Sequence, residues 1–172
     1  MITLPFAERF LSDLDPLLGS VIASQRERWP SEPSEDPIWG LVRIVIAQQI
    51  TTKSAFNIAR KLLADYPGLA STDRVEIPPA PVLRKYGVPE RRAKSCVEIL
   101  TRAQEILALV GQGMAWEVAL TGVKGIGPWT ISTFKIMVLR ESDVFPRGDV
   151  GLARAIARTY GYDQDIEKLV ES

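Results

Sequence analysis

Residues 121–130, TGVKGIGPWT, hold the parts of an anion clamp between two apolar-patterned segments, WEVAL and ISTFKIMVL. Gly125 and Gly127 flank a single apolar residue, Ile126, and Pro128 stands where a helix would begin. Backbone without Cβ atoms can press against a phosphate, and the N–H groups at a helix start point outward as an anion site. Proline at the first helical position removes only a donor the helix cannot use. Lys124 adds a point charge before the turn, and Trp129 an aromatic plane after it. Such a clamp grips a nucleic-acid backbone without reading its sequence. The plainer alternative is a helix C-cap followed by a tight turn.

Few other groups can do chemistry here. The 172 residues contain no histidine and one cysteine, Cys96. That removes Ser-His-Asp and Cys-His catalysis, cysteine-rich zinc sites, iron–sulfur clusters and internal disulfides. Cys96 lies in a helical pattern, RRAKSCVEIL, and reads as a small packed residue. What remains are carboxylates, lysines, hydroxyls and aromatics. Among the carboxylates Asp149 stands out: it closes FPRGD and precedes VGLARAI, where it also makes a good helix N-cap.

The formal net charge of zero argues by itself against nucleic acid, but its distribution does not. Residues 1–36 carry seven acids against three arginines, and residues 160–172 four acids against Lys168. Residues 37–159 therefore hold 17 basic and ten acidic side chains, enough for one positive face on a neutral molecule. No apolar run reaches membrane-spanning length, and MITLPFAERF lacks the order of a signal peptide. The expectation is an intracellular, cytoplasmic monomer without membrane contact.

The clamp and the aspartate need helices to position them. Residues 5–28 read as one or two helices broken near Pro16, and WPSEPSEDP (29–37) as a connector. IWGLVRIVIAQQI (38–50) and TTKSAFNIARKLLADY (51–66) are helical, with Thr51 or Thr52 as a cap. PVLRKYGV predicts a short helix and PERRAKSCVEILTRAQEILALV a long one with Pro89 near its first turn. Leu152, Ala155, Ile156 and Tyr160 have helical spacing after Asp149. No segment alternates as a strand. The expected fold is all-α: residues 1–36 with 136–172 as one subdomain, residues 37–135 as the other, flanking a basic cleft.

The stretch Val123-Lys124-Gly125-Ile126-Gly127-Pro128-Trp129-Thr130 resembles the helix-hairpin-helix of a DNA glycosylase superfamily. In that family a helix and loop follow the hairpin and end in a catalytic aspartate; here Asp149 comes twenty residues after Trp129. Upstream, IAQQITTKSAFNIARKL resembles the family's other signature, an apolar helix ending in Gln-Gln. The three elements, in order, cover residues 35–160 and are most like the bacterial 3-methyladenine DNA glycosylase II branch.

The resemblance implies a monofunctional enzyme of base excision repair that releases alkylated purines, 3-methyladenine and 7-methylguanine, from double-stranded DNA. Strand-cleaving members carry a lysine nucleophile where this chain has Trp129, so no lyase activity is implied. Alkylated purines are cationic and leave readily; they need an aromatic wall, worth about 0.5–2 kcal/mol per face, and a base outside the stack. Trp129 is the implied wall, with Trp39 and Phe134 as further pocket aromatics, although core packing is the plainer reading of those two. Asp149 would stabilise the cationic sugar carbon or orient water. Lys124, Gly125, Gly127, Thr130 and Lys53 would meet the DNA backbone, as Lys135, Arg147 and Arg154 would by proximity. One residue of 48–51 would fill the gap left by the flipped base, Gln49 ahead of Gln48. No cofactor is implied beyond a monovalent cation on hairpin carbonyls when DNA is bound, and no metal site. Set beside the larger members it resembles, the expectation is a protein without their N-terminal β-domain and with a short or missing aromatic-rich C-terminal segment, and so a more open site. Two other readings stay open: a non-catalytic DNA-binding module, and a glycosylase for 8-oxoguanine, hypoxanthine or a mismatched base.

Overall fold

The computed structural model describes residues 4–24, 36–71 and 76–161. Among them every regular element is helical, with no strand. The chain divides into two compact units: residues 33–146, and residues 1–32 with 147–172. The boundary therefore falls at 146 rather than at the expected 135. The reason is that the helix begun at Pro128 does not stop at Lys135; it runs on through Lys135–Leu139, and Val138 is buried in the core of the larger unit.

In the larger unit, helix α3 (Pro37–Ala47) is the element around which the others pack, touching the helices over Thr52–Asp65, Glu90–Thr101 and Pro128–Phe134. Its start is fixed by Asp36, whose side chain accepts the Trp39 N–H at 2.7 Å, and by Pro37 in the first turn. Ile38, Trp39, Leu41, Val42, Ile44, Val45 and Ile46 are all buried. A helix apolar on nearly every side can only be enclosed by its neighbours. Helix α4 (Thr52–Asp65) is capped by Thr51, which accepts from Ser54 N, and buries Ala55, Ala59 and Leu62. A 3₁₀ turn (Pro67–Ala70) and short helix α5 (Ala80–Lys85) lead to α6 (Glu90–Thr101).

The long helix expected over 89–110 is divided at Arg102 into α6 and α7 (Ala103–Gly111). The division is shallow. Arg102 N still donates to Glu98 O and Ile106 N to Arg102 O, so the backbone ladder passes through it. Helix α8 is a single turn (Trp116–Ala119), α9 spans Pro128–Phe134, and its continuation widens into a π-helix over Lys135–Leu139. Arg140, in the left-handed conformation at φ 58°, ends it.

In the smaller unit, α1 (Leu4–Leu14) and α2 (Pro16–Ser24) meet at Asp15. Its carboxylate accepts the N–H groups of Leu17 and Leu18, so the break near Pro16 is a new helix start. Helix α10 (Val150–Tyr160) begins at Asp149 and ends at left-handed Gly161. Tyr160 donates its hydroxyl to Asp15 at 2.5 Å, joining the far end of α10 to the α1–α2 corner. That bond, then the backbone donors, hold the Asp15 carboxyl below its ordinary range. No helix of the described residues is long and apolar enough to cross a membrane.

Candidate nucleic-acid site

The hairpin joins α8 to α9, and neighbouring helices hold its carbonyls. Ser95 on α6, itself buried, donates its hydroxyl to Lys124 O at 2.5 Å. Gln48, at the C-cap of α3, donates its amide to Gly125 O at 3.2 Å and to Thr130 Oγ1 at 3.0 Å. Ile126 N closes the turn onto Val123 O at 3.2 Å. The carbonyls of residues 123, 124 and 125 are thus each engaged within this unit. Lys124 itself is exposed, as a clamp cation must be.

The two glycines are required for different reasons. Gly125 has φ +87°, and a Cβ there would lie 2.8 Å from Ser95 Oγ, so both backbone and packing exclude a side chain. Gly127, the N-cap of α9, has φ −114°, which any residue adopts, and a Cβ on it would meet nothing within 4 Å. Nothing in the folded chain demands glycine at 127. A ligand pressing on that backbone would.

Several residues expected at the site take other positions. Thr130 is 3% exposed and accepts from Gln48, so its side chain braces the hairpin from inside and does not face a phosphate. Gln48 is the inner brace and is not available to fill a gap. Phe134 is 0% exposed with its ring against Trp116, centroids 4.9 Å apart, and Trp39 is 5% exposed in the core around α3. Neither ring offers a base a surface to touch. Lys135 is tied to Glu117 and, at 3.5 Å, to Glu141. The Glu117 bond leads the causes that raise its pKa, and the same bond lowers that of Glu117. It staples α8 to the π-helix and is not a free phosphate partner.

Other expectations keep an accessible place. Trp129, second residue of α9, is half-buried and packs against the core. Lys53 is exposed on the first turn of α4. Gln49 is exposed between α3 and α4 with φ 57°. In the smaller unit, Asp149 is half-buried and accepts the Leu152 N–H at 2.9 Å, so it is a helix N-cap. Arg154 is exposed one turn along α10, and Arg147 is exposed before it.

Two residues were not singled out from the sequence: Ser95 and Arg92. Both interrupt the apolar stripe Ala93, Cys96, Ile99, Leu100 of α6, and polar side chains on a buried stripe were the available signal. Arg92 donates from Nη2 to Gln49 Oε1 at 2.8 Å. Behind it, Cys96 is buried, and burial pushes its thiol up to about 12. No cluster of metal-ligating side chains occurs among the described residues.

The sequence of residues 42–172 matches the model of the HhH-GPD superfamily base excision DNA repair proteins. The chain is 30% identical over 159 residues to a Mycobacterium tuberculosis protein named a probable bifunctional transcriptional activator/DNA repair enzyme AlkA. That alignment covers 82% of this chain and 31% of the other. Similarity to the Saccharomyces cerevisiae DNA-3-methyladenine glycosylase is 27% identity over 148 residues, 78% of this chain and 50% of that one. In three dimensions, the Schizosaccharomyces pombe 3-methyladenine DNA glycosylase, solved in complex with abasic DNA, superposes with a TM-score of 0.71. That superposition covers 92% of this chain and 82% of the other at 21% identity, a likeness of fold. The clasped glycine turn, the all-helical architecture and a match over three quarters of the sequence agree: the chain belongs to the HhH-GPD superfamily of base excision DNA repair proteins.

Proposed function

We propose that this protein is a monofunctional DNA glycosylase that hydrolyses the N-glycosidic bond of alkylated purines, 3-methyladenine and 7-methylguanine, in double-stranded DNA. The observation that carries the reading is the hairpin: its carbonyls are held inside by Ser95 and Gln48, and open space lies over Gly127. What the loop offers outward is glycine backbone, helix-start N–H groups and exposed Lys124, the chemistry of a phosphate grip. Trp129 follows the grip directly and supplies a face for a cationic base. The position where a lyase would need an amine holds an indole instead, which supports hydrolysis without a covalent intermediate. Asp149 is the carboxylate for the oxocarbenium-like sugar, and its N-cap bond to Leu152 fixes its rotamer. Gln49 is the residue that fills the space of the everted base. The carbonyls of Val123, Lys124 and Gly125 each keep a second lone pair, which fits a monovalent cation held there when DNA is bound.

Calf-thymus DNA methylated in vitro supplies both substrates. Release of 7-methylguanine and 3-methyladenine by the parent, with Asp149→Asn at least about 100-fold slower, is the expected result. Duplex binding with no base released from any lesion would instead favour the non-catalytic DNA-binding module. A borohydride-trapped covalent adduct would overturn the hydrolytic assignment.

A further inference from the structure

Gln48 and Gln49 are neighbours in the chain and are used in opposite senses. Gln48 turns inward to the hairpin. Gln49 stands exposed at φ 57°, a left-handed backbone that few residues other than glycine adopt. Its side chain is anchored from α6 by Arg92 Nη2 at 2.8 Å. A guanidinium carries donors only, so the atom facing it is the amide oxygen, and the orientation of the amide follows without ambiguity. The amide nitrogen, with two N–H groups, is left for whatever lies beyond. Arg92 is itself constrained: its Nη1 is enclosed and has no acceptor among the described residues. A buried donor left unmet is costly, and natural proteins retain few of them.

We propose that Arg92 is a positioning residue that makes Gln49 a donor-only probe of the base left unpaired opposite the lesion. The inference rests on the reading of Gln49 as the gap-filling residue. A purine lesion is ordinarily opposed by cytosine or thymine, and both present the O2 acceptor. On the minor-groove side of the pairing edge, where a pyrimidine offers O2, guanine instead presents its N2 and N1 donors and keeps its acceptor O6 at the far, major-groove end. A donor-only amide held on the minor-groove side therefore meets donors there. Arg92 thereby favours a pyrimidine partner over guanine without touching DNA.

The test uses two duplexes with a single 7-methylguanine opposite cytosine or opposite guanine, under single-turnover conditions. A mismatch itself eases base eversion, so the quantity read is each protein's cytosine-over-guanine rate ratio, compared between variants. Gln49→Leu, which fills space without a donor, lowers that ratio about threefold to tenfold, the worth of one ordinary hydrogen bond. Arg92→Met lowers it in the same direction, because the freed amide can also turn its oxygen towards guanine. The Arg92→Met/Gln49→Leu pair lowers it no further than Gln49→Leu alone, because both act through one amide. A purely structural role for Arg92 would slow both duplexes alike and leave the ratio unchanged, and that result overturns the proposal. So does a ratio that falls in Arg92→Met yet holds in Gln49→Leu, a variant altered only at an exposed side chain. If the parent releases no 7-methylguanine from either duplex, the failure lies with the glycosylase reading.

Discussion

Asp149 has one observed duty, capping α10, and one proposed, at the sugar carbon, and a single substitution can separate them. Asparagine caps a helix about as well as aspartate, so Asp149→Asn keeps the bond to Leu152 N. The expected outcome is an unchanged melting temperature with release of 7-methylguanine slowed about 100-fold or more, read by single-turnover chromatography and thermal denaturation together. Unslowed release at an unchanged melting temperature would mark the residue as a cap alone. The glycines make a second contrast. Gly125→Ala places a Cβ against Ser95 and forces a left-handed backbone, costing about 1–3 kcal/mol in denaturant unfolding. Gly127→Ala meets no neighbour and an ordinary φ, so stability holds while affinity for duplex DNA falls. Cys96 is a third case. With its thiol raised to about 12 by burial, it should react with an aromatic disulfide reagent only when urea has unfolded the chain.

At the scale of the helices, Lys135 with Glu117 joins α8 to the segment after α9 on either side of the hairpin. Glu117 has its pKa lowered in the folded chain, so its share of stability is present above the usual glutamate value and is lost as pH falls through the lowered one. Lys135 has its pKa raised, so its share is full below the usual lysine value of 10.5 and is lost as pH rises through the raised one. Lys135→Met should therefore melt below the parent at neutral pH, with the gap closing below the Glu117 titration. Melting curves from pH 3 to 8, about the span over which glutamates titrate, check this.

Helices were the legible part of this chain. The period of the apolar residues, the caps at Thr51 and Asp149 and the starts at Pro16 and Pro128 announce themselves locally. The GIG turn alone could have been a C-cap and tight turn; it gained meaning from the Gln-Gln segment before it and Asp149 after it, in that order. What the sequence hid were contacts between distant segments: Ser95 with Lys124, Gln48 with Thr130, Arg92 with Gln49. No local pattern says which of two adjacent glutamines turns inward, since register at the end of α3 is decided by the packing of α6 and α9. Phe134 and Trp39, readable as pocket or core, went to the core. Aromatic type suggests a pocket wall and a core residue alike, and only the enclosing helices decide.

For the molecule as a whole, zero net charge with a basic middle region predicts modest, salt-sensitive association with DNA. With few cations at the grip, the slope of log affinity against log salt should be shallow. Roughly −2 to −4 is expected for two to four phosphate contacts, measured by fluorescence anisotropy between 50 and 200 mM salt. Lys124→Ala should reduce that slope by about one and weaken binding to all sequences alike. The chain spans less than a third of the mycobacterial relative and half of the yeast one, and these values are those of the 172-residue chain.

Gln48 and Gln49 hang from consecutive α-carbons, about 3.8 Å apart across one peptide plane. A shift of the glycine turn would therefore act on the same stretch of backbone that carries the outer amide. If the two glutamines hold the proposed roles, inserting one residue between them should weaken the bracing of the turn and the reading of the opposing base together.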